Sequence, residues 1–105
     1  MGFASLNPPY IFPMPSAVRD NAALSRFELD AAGATAVLTY KFADGVMTLL
    51  HTETPPAARG RGLASQLVQG ALDNARSRGL KVVPVCSFVS AYLAEHPEYR
   101  DLVAA

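Results

Sequence analysis

The apolar pattern of this chain changes period once, within "VMTLLHTETPPAARGRGLASQLVQGALDNARSRGLKVVPVC" (46–86), and no other feature restricts its fold as much. "VMTLLHTE" (46–53) is a strand-type run of apolar and β-branched residues. Beyond a stretch rich in proline and glycine, Leu63, Leu67, Ala71 and Ala75 recur every fourth residue, and Val68 and Leu72 widen the stripe. Gln66, Gln69, Asp73, Asn74 and Arg76 fall on the other side of that helix. Gly79 stands where a C-terminal glycine belongs, and Arg76 and Arg78 suit the negative end of the helix dipole. "LKVVPVC" (80–86) reads as a short buried strand. Strand, loop, helix and strand in that order predict a right-handed crossover between two parallel strands.

The flanking segments complete an α/β domain. "SRFELD" (25–30) and "TAVLTYKF" (35–42) read as strands around a turn at Gly33, and Asp44-Gly45 supplies a hairpin back into the strand at 46–53. These three form an antiparallel meander. After the crossover, "FVSAYLAEH" (88–96) is a second helix, with Ser87 as its N-cap and Pro97 as its stop. "HPEY" ends it and folds Tyr99 back on the core. Pro8, Pro9, Pro13 and Pro15 deny backbone donors near the start, so residues 1–17 are expected as an extended arm and 18–105 as the domain.

Composition narrows the function. The 105 residues are 50% hydrophobic and 17% charged, as in a single globular domain. A formal net charge of zero argues against a general nucleic-acid or membrane-surface binder. No apolar run approaches the roughly 18 residues of a membrane span. Cys86 is the single cysteine, so no intrachain disulfide forms and a reducing, cytoplasmic setting is expected. No metal site is assigned.

Charge is nevertheless unevenly spread. Arg59, Arg61, Arg76, Arg78 and Lys81 face Asp73 alone between residues 57 and 81. Gly60 and Gly62 leave room against the backbone, and the first amides of the helix after Gly62 lack intrahelical partners, so an anion fits there. The alternative is a tight turn with solvated arginines. A Walker loop is excluded because no Gly-Lys-Ser/Thr follows, and the G-x-G-x-x-G dinucleotide fingerprint would need glycine at Ser65.

The spacing Arg59-x-x-Gly62-x-Ala64 resembles the pyrophosphate-binding motif R/Q-x-x-G-x-G/A of the GNAT acetyltransferase superfamily. "HTETPPAARGRGLASQLV", "KVVPVCSF" and "YLAEHPEY" together resemble a small GNAT-like family of about a hundred residues, over roughly residues 18–103. That resemblance implies a mixed, mostly antiparallel sheet splayed between the strand before the loop and the strand after the helix, shorter than in larger members. It implies acetyl-CoA as co-substrate, an amine as acceptor, and a diphosphate held by Arg59, Gly60, Arg61, Gly62, Leu63 and Ala64. The strand end at His51, Thr52, Glu53 and Thr54 would line the pantetheine arm. Pro84 agrees independently, because a residue without an N–H cannot complete a ladder with both neighbours.

Four residues are candidates for the chemistry. Acetyl transfer needs a deprotonated amine, donors for an oxyanion and a proton for the leaving thiolate. His51 and Glu53 share a strand face, and either can serve as base or simply hydrogen-bond the loop. Cys86, just past Pro84, can give a proton or be acylated, or it can be a small buried hydrophobe. Tyr92 resembles in position the general-acid tyrosine of many GNAT enzymes, while Phe88, Tyr92 and His96 at i, i+4 and i+8 also describe a packed face. The leading expectation is an N-acetyltransferase using Cys86 with Glu53 or Tyr92. The alternatives are a non-catalytic acyl-CoA-binding module and a small interaction domain.

Overall fold

The computed structural model describes residues 17–31, 33–60 and 62–104. Five strands form one sheet in chain order: β1 (Arg19–Asn21), β2 (Arg26–Ala31), β3 (Ala34–Ala43), β4 (Val46–Glu53) and β5 (Lys81–Pro84). The first four are antiparallel neighbours and β4 pairs with β5 in parallel. Helix α1 (Leu63–Ser77) is the crossover, and α2 (Ser87–Glu95) follows β5. The meander and the strand-loop-helix-strand unit match the sequence reading, while the expected arm lies outside the described residues except for Ala17.

Local chemistry accounts for the elements. Asp44 (φ 52°) and Gly45 (φ 76°) both take positive φ between the paired Ala43 and Val46, the two-residue turn that matches strand twist. Helix α1 buries Leu63, Leu67, Val68, Ala71, Leu72 and Ala75, the stripe its spacing foretold. It stops in a Schellman arrangement. Gly79 sits at φ 69°, its N–H reaches Arg76 O, and Leu80 N–H reaches Ala75 O at 2.9 Å.

Three details differ from expectation. β1 has no distinct strand signal in the sequence, yet pairs through Arg19, Asp20 and Asn21 with Glu28, Phe27 and Arg26. Val18, just before it, packs so tightly on α1 that a Cβ at Gly70 would come within 2.8 Å of its side chain. β5 ends at Pro84 rather than at residue 86, because the Val85 and Cys86 amides both turn to Leu49 O. The N-cap of α2 is therefore Cys86, whose carbonyl accepts from Ser90 N–H, and Ser87 is the first helical residue.

Both helices and the 3-10 turn Pro97–Leu102 lie on one face of the sheet. Their buried residues join Phe27, Leu29, Leu38, Met47, Leu49 and Val82 in one core. The turn is tied down by Tyr99 Oη donating to Asp73 Oδ1 at 2.7 Å and by both Arg76 Nη atoms on Asp101, each at 3.0 Å. Val103 bridges the outer edge of β5 at Val82. On the opposite face, Glu28 is the one buried side chain among the described residues; the rest are partly or fully exposed.

Candidate active site

The loop between β4 and α1 is anchored at its middle and open at its end. Pro55 and Pro56 start a 3-10 turn over Pro56–Ala58, and Ala58 is fully buried. The chain then turns at Gly60 (φ 80°) and Gly62 (φ 71°), both left-handed positions that favour glycine. Beyond the glycines themselves and the residues next to them in the chain, no atom lies within 4 Å of where a Cβ would stand at either one, so the two glycines border open space. Gly62 caps α1 with no side-chain hydrogen bond, which leaves the leading amides of the helix available. Arg59 Nε donates to Thr54 O at 3.2 Å, holding the guanidinium beside the end of β4.

These pieces surround a cleft of about 210 Å³ bordered by Thr54, Arg59, Gly60, Gly62, Ala64 and Phe88. Leu63 borders it too but sends its side chain into the core. Its contribution is therefore its amide. Arg61, named from the motif, lies outside the described residues. Phe88 comes from the first turn of α2 and stays 39% exposed, an apolar wall of the cleft, where its spacing with Tyr92 and His96 describes only a packed face.

A gap opens between β4 and β5. Leu49 O is their last shared acceptor, taking Val85 N–H at 3.0 Å and Cys86 N–H at 2.9 Å. β4 continues to Glu53 paired with β3 alone. Leu50 is an extra residue there, because Tyr40 pairs with Leu49 and Thr39 with His51. That bulge reverses the alternation of faces. Thr52, opposite the buried Leu38, points to the helix side, while His51 and Glu53 point to the open side. Glu53 and Cys86 thus stand on opposite sides of β4 and form no pair.

Thr52 is what Cys86 meets. Thr52 Oγ1 lies 3.4 Å from Cys86 Sγ across the gap, and the sulfur packs against the edge of the core. Burial pushes the thiol up, but the Thr52 hydroxyl, the Val89 and Phe88 amides and the Thr52 backbone outweigh it and bring the thiol below its ordinary range. The two amides point at the sulfur without closing a regular cap hydrogen bond. Tyr92 sits elsewhere on α2. Its ring stacks on His96 at 4.0 Å and tilts against Tyr99 at 6.4 Å. Burial, with the Asp73 and Glu98 charges, raises its phenol.

An antiparallel meander, a parallel crossover, a strand pair that parts, and a glycine-bearing helix N-terminus at the parting define the class of acetyltransferase-like α/β folds. The profile of the GCN5-related N-acetyl-transferase family matches residues 26–102, and the chain belongs to that family. Among similar curated proteins, Protein NATD1 of Gallus gallus and of Homo sapiens are each 40% identical over 63 residues, 59% of this chain. The matched region spans 57% of the Gallus gallus protein and 56% of the human one. The NMR solution structure of a GCN5-like protein from Staphylococcus aureus shares the fold, with a TM-score of 0.60 and 24% identity over 88% of this chain and 92% of that one.

Proposed function

We propose that the chain is an acetyl-CoA-dependent N-acetyltransferase. The observation that carries this reading is the loop. Gly60 and Gly62 lie open beside the uncapped amides of α1, with Arg59 alongside. Residues Arg59, Gly60, Arg61, Gly62, Leu63 and Ala64 hold the diphosphate, since partial positive charge at a helix start and a guanidinium both favour phosphate oxygens. The pantetheine arm lies along the free edge of β4, where backbone groups of His51 to Thr54 pair with its amides as an added strand would. Phe88 covers one side.

Transfer follows from the two sides of β4. The acceptor nitrogen attacks the thioester carbon, a C–N bond forms, and Glu53 receives the amine proton directly or through water. The C–S bond then breaks, and the Cys86 thiol gives its proton to the departing sulfur. Its lowered pKa and its hydrogen bond with Thr52, which steadies the sulfur once the proton has left, suit it to that donation. Proton return from Glu53 to Cys86 through solvent closes the cycle. Tyr92, packed among His96 and Tyr99, supports the α2 wall.

The test is a calorimetric titration with acetyl-CoA on wild type and on Gly62→Glu, whose side chain would fill the open space and repel the diphosphate. One-site binding that the folded variant loses supports the loop's role. A folded wild type that does not bind overturns the proposal. Binding without turnover on any amine leaves an acyl-CoA-binding module.

A further inference from the structure

The two faces of the sheet differ at β4 in a way that bears on the acceptor. On the helix side the gap is lined by Thr52, Cys86 and Phe88, beside the cleft assigned to the donor. On the open side the register brings up Leu50, His51, Glu53 and, from beyond β5, Val85. An acceptor arriving from the helix side would collide with the donor. We infer that the acceptor approaches from the open sheet face and is a primary amine borne as a cation on an apolar carbon chain, an inference that rests on the transfer reading above.

Charge supports the cation. Three carboxylates lie on the open face over β2 and β4. Glu28 takes Arg26 at 2.6 Å and Arg19 at 2.9 Å, and Asp30 takes Arg19 at 2.8 Å. The Glu53 carboxylate makes no hydrogen bond or ion pair among the described residues. It is the unpaired one of these three carboxylates, and it stands at the gap, whereas the cation Lys41 on the same face pairs with Thr48 nearer the other end of β4. An ammonium satisfies this carboxylate and passes one proton through Glu53 to solvent before the neutral nitrogen attacks, whereas a carboxylate close to the amine would be repelled while both neighbouring arginines are already engaged.

Exposed apolar surface supports the chain. Leu50, pushed out by the bulge, is 38% exposed, and Val85 is 60% exposed. The Val85 amide bonds Leu49 O, so the two side chains border the same opening. An alkyl or aryl chain attached to the amine covers them as the nitrogen reaches the thioester. Surface apolar residues need no such explanation singly, but here two flank an unpaired carboxylate at a strand gap.

The experiment pairs acetyl-CoA calorimetry with steady-state release of the CoA thiol on propylamine, butylamine, pentylamine and hexylamine, and on alanine and β-alanine. The inference expects kcat/KM to rise about two- to fourfold per methylene. It expects propylamine to exceed β-alanine by about tenfold or more. Leu50→Ser and Val85→Ser should flatten the chain-length series without changing acetyl-CoA affinity. Equal use of propylamine and β-alanine, or a flat wild-type series, overturns the inference and leaves transfer intact. Acetyl-CoA binding with none of these amines acetylated also overturns it. Failure to bind acetyl-CoA instead removes the transfer reading and this inference with it.

Discussion

The Thr52 hydroxyl and the Cys86 thiol, 3.4 Å apart, are the side-chain link across the point where β4 and β5 part. They come from opposite banks of the gap, 34 residues apart in sequence. The link stabilises the ionised sulfur, so Thr52→Val should raise the thiol's pKa and lower the iodoacetamide alkylation rate at neutral pH. A pH–rate profile gives the answer. An unmoved midpoint in the variant would show that Thr52 does not tune the sulfur.

Gly60 and Gly62 should resist substitution for a backbone reason even where space is ample. A Cβ at positive φ costs about 1–2 kcal/mol, and nothing nearby relieves or worsens it. Gly60→Ala and Gly62→Ala should each lower Tm by about 4–8 °C per kcal/mol. Calorimetric melting is the check.

Alkaline pH should weaken the fold through Tyr40. Burial, then its hydrogen bond to Asp20, push this phenol up to about 12 from the ordinary 10.0. A raised value means that the folded state keeps a proton that the unfolded chain loses, so the stabilisation is full below about pH 10 and fades as pH rises toward 12. Urea midpoints should fall over that window. Tyr40→Phe should fall less steeply, and parallel curves for the two proteins would contradict the assignment.

The Tyr99–Asp73 bond fastens the 3-10 turn to α1 at 2.7 Å. Tyr99→Phe keeps the ring but drops a hydrogen bond to a charged acceptor, a loss of about 1.5–3 kcal/mol at most. The exposed Asp73 carboxylate can rehydrate, which favours the lower end. Hydrogen exchange should quicken first in residues 97–104.

Elements with strong local signals were legible in the sequence. The Asp44-Gly45 hairpin, the α1 stripe with its Gly79 stop, and the open glycine loop all follow from short-range rules of φ and period. β1 was not legible, because three residues carry no period and their pairing depends on β2. The face that Glu53 presents was not legible either. Plain alternation from Met47 and Leu49 would turn His51 and Glu53 to the core, and only the bulge at Leu50 reverses this. A bulge is a property of two strands, and it leaves no mark in one.

By itself, then, the sequence determined the crossover, the family resemblance and the loop, since those reside in neighbouring residues and their backbone preferences. Tertiary structure alone decided that Thr52 meets Cys86, that Phe88 walls the cleft and that Glu53 stands apart on the open face. Each of those depends on where distant segments stop pairing, and strand pairing is settled by packing across the whole sheet.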